Sequence, residues 1–208
     1  MKGTLLLTGF EPFGGDDVNP SGEVAKKLGG LEIAGRTVVS KVLPVEWGTA
    51  KRVLEGYIDE FDPEVVLSLG LAAGRPEICV EKVAINYTAD AKDNAGQVPQ
   101  ERAISPIGAD AYFATIPTEK IVKALVQAKI PARLSFSAGT YLCNYVFYVA
   151  VHHIKITDKK ALSGFIHVPA TPEMVAGKAP RPSMSLSTIC DAVAKALTII
   201  VEDLTNSG

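Results

Sequence analysis

The sequence predicts an α/β fold: a single-domain three-layer sandwich in which a twisted, mostly parallel or mixed sheet lies between helices on both faces. Apolar bursts of strand length alternate with stretches of helical period along nearly the whole chain. The burst at 65–69 (VVLSL) reads as a continuous apolar run, which marks a strand covered on both faces. The 208 residues, 47% hydrophobic and 21% charged, suit one core, so one domain over 1–208 is expected.

The elements follow in order. Residues 4–8 form a short apolar strand that ends at Gly9, and the opening MKGTLLLTGF reads as a strand running into a loop. A Gly/Pro-rich loop leads to a short helix at 21–28, then a strand at 37–43 stopped by Pro44. Trp47, Ala50, Leu54, Tyr57, Ile58 and Phe61 recur at spacings of three and four, an amphipathic helix that Asp62-Pro63 ends. After the strand at 65–69, residues 78–86 read as extended. The polar stretch 89–106 is too long for a simple connector, and loops of that length in compact domains are commonly functional or disordered.

Thr118 is placed to cap a helix whose inner face is Ile121, Val122, Leu125 and Val126. A strand follows at 132–137, then a nearly all-apolar, buried helix at 140–154 and a strand at 164–168. A last amphipathic helix presents Leu186, Ile189, Val193, Leu197, Ile200 and Leu204 inward.

Several classes of function are disfavoured. The net charge is −2 and no Lys/Arg stripe exists, which argues against nucleic acid as a partner. No apolar run approaches the roughly 20 residues of a membrane span, and a cytoplasmic location is expected. Cys79, Cys143 and Cys190 are widely spaced, with neither a disulfide framework nor a metal-binding pattern; no metal is expected.

In an open α/β sheet, ligand sites gather beyond the carboxyl ends of strands. The first such loop, 9–15 (GFEPFGG), fits neither phosphate-cradling glycine pattern, so its Phe10 and Phe13 either wall an apolar pocket or plug the sheet end. Cys143 falls in the first turn of the buried helix. There, unpaired N–H groups and the helix dipole favour a thiolate and can receive an oxyanion, although a cysteine in that position can equally be packing. Of three histidines, His152 and His153 lie late in that helix and read as structural. His167 ends an apolar strand before Pro169, where a base would sit, or a satisfied core residue. Glu77, Glu81, Asp90 and Asp93 all remain open as the acid that would orient it; Glu81 stands out modestly because it interrupts an apolar strand, where an unpaired charge is costly.

Four blocks in one order, TGFEPFGG (8–15), GLAAGRPEICVEKVAIN (70–86), SAGTYLCN (137–144) and GFIHVP (164–169), resemble the pyroglutamyl peptidase I family of cysteine peptidases over nearly the whole chain. The resemblance implies a twisted sheet sandwiched by helices and hydrolysis after an N-terminal pyroglutamyl residue. It implies a Cys143 nucleophile, a His167 base and a Glu81 acid, working through a thioacyl-enzyme with no cofactor. It matches Phe10 and Phe13 to aromatics flanking the substrate ring, and Asn19, Leu71, Tyr141 and Leu142 to other pocket positions. It further implies pyroglutamylated peptides as partners and a homo-oligomer, tetramer or dimer. The chain departs from the family's A-R-I-P-D-N stretch, reading Ala91-Lys92-Asp93-Asn94 in a shortened loop expected to border the site, and has Ala170 where an aromatic is common. Rival readings are a phosphate- or nucleoside-binding enzyme using residues 8–15 and a binding module in which Cys143 is core.

Overall fold

The computed structural model describes residues 3–178 and 180–207; Met1, Lys2, Ala179 and Gly208, which fall within the expected opening strand or single-domain span, lie outside the described residues. The main sheet is built from β1 (Thr4–Phe10), β2 (Glu32–Ile33), β3 (Arg36–Leu43), β4 (Val65–Leu71), β5 (Ile78–Glu81), β8 (Ala132–Ser135) and β9 (Leu162–Val168), in the order β2-β3-β1-β4-β9-β5-β8. A separate two-stranded sheet pairs β6 (Val83–Ile85) with β7 (Ala111–Phe113).

Strands β3, β1, β4 and β9 run parallel, and Leu5, Leu6 and Leu7 at their centre are all fully buried. Burial on both sides comes from two helical layers. On one face pack α2 (Trp47–Phe61) and α4 (Leu142–Ile156); on the other lie α1 (Pro20–Leu28), α3 (Thr118–Gln127) and α6 (Leu186–Ser207). A four-residue α5 (Pro172–Val175) follows β9. The α/β sandwich expected from periodicity is the fold observed.

The sheet's polarity changes next to β9. Strand β5 runs antiparallel to β9, and β8 runs parallel to β5. A parallel connection needs a crossover of about a dozen residues or more. The six residues 72–77 between β4 and β5 are too few for one, so the chain returns in the opposite direction.

Several boundaries differ from the sequence reading. The extended stretch 78–86 is two strands in two sheets, split at Lys82, whose N–H donates to the Ser135 carbonyl while its own carbonyl accepts from Ala114. Helix α3 begins at Thr118 with Pro117 at its cap. The Thr118 hydroxyl donates to Glu119 and accepts from Lys82 instead of capping the helix. Val126 is exposed, because α3 buries only the narrow face of Ile121 and Leu125. Strand β8 stops at Ser135, leaving Phe136 exposed, and α4 begins at Leu142 rather than residue 140 because Gly139 takes a φ of 79° and Tyr141 is extended.

Candidate active site

The parallel strands β1, β4 and β9 end together, bringing Phe10, Gly70–Leu71 and His167–Val168 to one rim of the sheet. Antiparallel pairing sets Cys79 opposite His167 and Glu81 opposite Phe165. Residues directly opposite share a face, and diagonal neighbours are within reach of long side chains. Glu81 is thus carried beside His167 although 86 positions separate them in sequence, and the pair meets at 2.7 Å from Nδ1 to Oε1.

Helix α4 delivers the sulfur. Cys143 is its second residue, and the first intrahelical bond runs from Tyr145 N–H to the Tyr141 carbonyl. The N–H groups of Leu142, Cys143 and Asn144 therefore belong to the helix's free first turn, at the positive end of its dipole. Asn144 fixes the orientation of this end: its side chain accepts from Ile85 N–H and donates to the Ile85 and Tyr87 carbonyls. Room for the sulfur is made by Gly70, where a Cβ would lie 2.7 Å from Cys143 Sγ and 2.7 Å from the Phe165 ring.

Cys143 stands near enough to His167 to favour its charged ring. The Nδ1 of His167 is committed to Glu81, which leaves Nε2 as the ring nitrogen available for proton exchange. Burial works against the charged ring, but Cys143 and Glu81 together outweigh it and raise the imidazole from its ordinary 6.5 to about 9. The ring also lies 4.9 Å from that of Phe165, which helps to fix its plane. Glu81 itself is fully buried, and it accepts a second hydrogen bond on Oε1 from Arg75 at 2.8 Å. Neither Arg75 nor its role was legible in the sequence, although it stands inside the block 70–86.

The three other carboxylates left open as the orienting acid have different partners. Glu77 pairs with Arg133, Asp90 with Arg102, and Asp93 accepts from the N–H groups of Trp47 and Gln97. His152 and His153 are buried away from the sulfur, bonded to Ser105 and Tyr112 and to Asp59 respectively. All three cysteines are free thiols. Among the described residues no group of three or more His, Cys, Asp or Glu side chains is placed to hold a metal ion.

Beside the sulfur lies a small apolar cleft lined by Phe10, Phe13, Asn19, Val45, Leu71, Tyr141, Leu142 and Cys143. Phe13 and Tyr141 approach with ring centroids 6.4 Å apart. All six pocket residues named from the sequence line this cleft. Phe10 is nearly buried, so it acts as part of the sheet end as well as a wall. Asn19 also caps α1: its side chain donates to the Glu11 carbonyl and accepts from Ser21 N–H and Oγ. Val45 is the wall residue that sequence reasoning missed; only its place after Pro44 distinguished it. More spacious hollows lie elsewhere on the surface, one between residues 15–23 and 171–178, but none of them contains a member of the Cys143–His167–Glu81 group.

The loop expected to border the site does so. Asn94 donates to Glu11 Oε1 and the Pro12 carbonyl, and the Tyr141 hydroxyl donates to the Lys92 carbonyl. These bonds lean residues 92–94 against the segments that carry Phe13 and Cys143.

Known proteins resemble the chain throughout. It is 43% identical to the pyrrolidone-carboxylate peptidase of Bacillus cereus over 198 residues, 94% of this chain and 92% of the relative. Identity is also 43% to that of Pyrococcus furiosus over 205 residues, 96% and 99% of the two chains. The solved pyrrolidone carboxyl peptidase from Thermococcus litoralis superposes with a TM-score of 0.94 at 40% identity, covering 100% of this chain and 97% of that one. With a family model described as pyroglutamyl peptidase matching residues 3–203 as well, the chain belongs to the pyroglutamyl peptidase family of cysteine peptidases.

Proposed function

We propose that this chain removes an N-terminal pyroglutamyl residue from peptides and proteins, with Cys143 as nucleophile, His167 as acid and base, and Glu81 as the orienting acid. The observation that carries the reading is a cysteine on the wall of an apolar cleft that favours the charged form of an imidazole bonded to a buried carboxylate.

The chemistry follows from the geometry. An imidazole raised to about 9 is protonated at neutral pH and stands as the cation beside the sulfur. Attack of the thiolate on the carbonyl carbon gives a tetrahedral oxyanion, which the free N–H groups at the start of α4 can receive. His167 passes its proton from Nε2 to the leaving amine as the C–N bond breaks, and a thioacyl-enzyme results. The now neutral ring then takes a proton from water, whose oxygen attacks the thioester, and pyroglutamate leaves as the thiolate is restored.

The cleft suits a neutral lactam. A pyroglutamyl terminus carries no ammonium, so no carboxylate is needed to grip it, and flat apolar walls such as Phe13 and Tyr141 match its ring. An unmodified N-terminal proline would bring an uncompensated charge into the same walls, a mismatch that such sites can amplify to about 10⁴-fold discrimination.

The same reading carries a cytoplasmic place of action and assembly as a homo-oligomer, tetramer or dimer, which light scattering of the purified chain measures. Incubation with a chromogenic pyroglutamyl amide, with and without a thiol alkylator, tests the activity. Release that alkylation abolishes is the expected result; failure of the reduced protein to release the chromophore rejects it.

A further inference from the structure

The structure assigns Arg75 as a positioning residue that acts on the reaction through Glu81, an inference that rests on the triad proposed above. Arg75 lies in the six-residue turn between β4 and β5, and its guanidinium contacts three segments at once. Nη1 donates to Glu81 Oε1 at 2.8 Å and lies 3.4 Å from Ser135 Oγ, while Nη2 donates to the Ser137 carbonyl at 3.2 Å. Ser137 stands in the connection between β8 and α4 that delivers Cys143, so one planar fork joins the acid to the backbone that sets the nucleophile.

The distribution of bonds on Glu81 says what the fork does. Both cationic donors, Arg75 Nη1 and His167 Nδ1, meet the same oxygen, Oε1. The other oxygen, Oε2, is buried with no hydrogen-bond partner among the described residues. A fully buried carboxylate held through one oxygen by two donors has its rotation set by those donors. Without Arg75, only the imidazole it is meant to orient would remain to hold it. A buried charge left with one partner is costly, and the carboxylate would turn to relieve that cost.

Arg75 also bears on the imidazolium through the carboxylate it holds. Glu81 favours the charged ring, so a carboxylate that loses its aim gives the imidazolium less support. The ionisable groups facing His167 are Cys143 from α4, Cys79 and Glu81 from β5, and Arg75 behind Glu81. Removing Arg75 thus weakens the support that Glu81 gives the imidazolium, while Cys143 continues to favour it.

The test is a double-mutant cycle on the full chain with a chromogenic pyroglutamyl amide: Arg75→Met, Arg75→Lys, Glu81→Ala and the double variant Arg75→Met/Glu81→Ala. Arg75→Met is expected to lower kcat about 10- to 100-fold with little change in KM, the order found for groups that orient a functional side chain from behind. Arg75→Lys, which keeps the charge, recovers part of that loss. The alkaline limb of kcat/KM moves to lower pH in Arg75→Met and moves less in Arg75→Lys. The double variant is no slower than Glu81→Ala, because a residue that works only through Glu81 has nothing left to orient. Losses that multiply in the double variant, or an unmoved alkaline limb in Arg75→Met, overturn the assignment and leave Arg75 a structural tie. If Arg75→Met does not fold, Arg75→Lys paired with Arg75→Lys/Glu81→Ala provides the same cycle. An inactive wild type sinks the peptidase reading instead, so the two failures are distinguishable.

Discussion

Two buried histidines, one on β9 beside the start of α4 and one near the end of that helix, show how surroundings divide one residue type in two. His167 meets a thiol and a carboxylate at the start of α4, and its imidazole is raised to about 9. His152, near the end of α4, is bonded to the hydroxyls of Ser105 and Tyr112, and its imidazole is lowered by burial first and by the Lys51 charge next. Hydroxyls can satisfy a neutral ring but do not supply the counter-charge that a buried cation needs. The first histidine is favoured in its charged form. The second docks the long loop onto the helix, helped by the Tyr148 hydroxyl, which donates to the Ala109 carbonyl, and by Tyr148 and Tyr112, whose rings lie 5.0 Å apart.

Variants can break this contrast, and they rank by size. Cys143→Ala should abolish turnover of a pyroglutamyl amide while circular dichroism and melting stay native; retained turnover would remove the sulfur from its role. His167→Ala should lower kcat by about 10³- to 10⁴-fold, more than the same change at His152, since only His167 handles the transferred proton. Glu81→Gln should cost less than His167→Ala, because it keeps an oxygen acceptor on the imidazole and loses only the charge; steady-state kinetics decide the order, and a larger loss would mean that Glu81 does more than orient.

Smaller effects lie in stability. His152→Phe should destabilise the fold by about 1–3 kcal/mol, through the unpaired hydroxyls it leaves, while kcat changes little; urea unfolding and kinetics separate the two. The pH slopes of the two histidines should have opposite sign. A raised imidazole adds stability that is full below its ordinary 6.5 and fades as pH climbs through about 9, so His167→Gln flattens the alkaline side of the stability profile. A lowered one adds stability that is present above the ordinary value and fades as acid protonates the folded form, so His152→Gln flattens the acid side. Denaturant midpoints across pH 5–10 check both signs.

Much of the site was legible because its parts carry local signals. Cys143 stands where small residues turn into a helix too apolar to be anything but buried, and His167 where an apolar strand meets proline. The sequence blocks then picked Glu81 from four candidate carboxylates, a choice that spacing alone did not force. Arg75 gave no such signal. An arginine after glycine in a short turn reads as an ordinary exposed charge until β5 is known to fold back beside β8. Val45 was equally silent, being one apolar residue among many.

By itself the sequence determined the longer strands and helices and which helix is buried, because hydrophobic period, glycine and proline act within a few residues; the short β2, β7 and α5 left no such period. The tertiary structure alone decided that β9 inserts between β4 and β5 and that β5 runs against it. It likewise decided that residues 78–86 divide between two sheets at Lys82 and that one carboxylate oxygen serves both an imidazole and a guanidinium. Those choices depend on which distant strands exchange backbone hydrogen bonds, and the free energy of that pairing is shared across residues dozens of positions apart, where no local pattern records it.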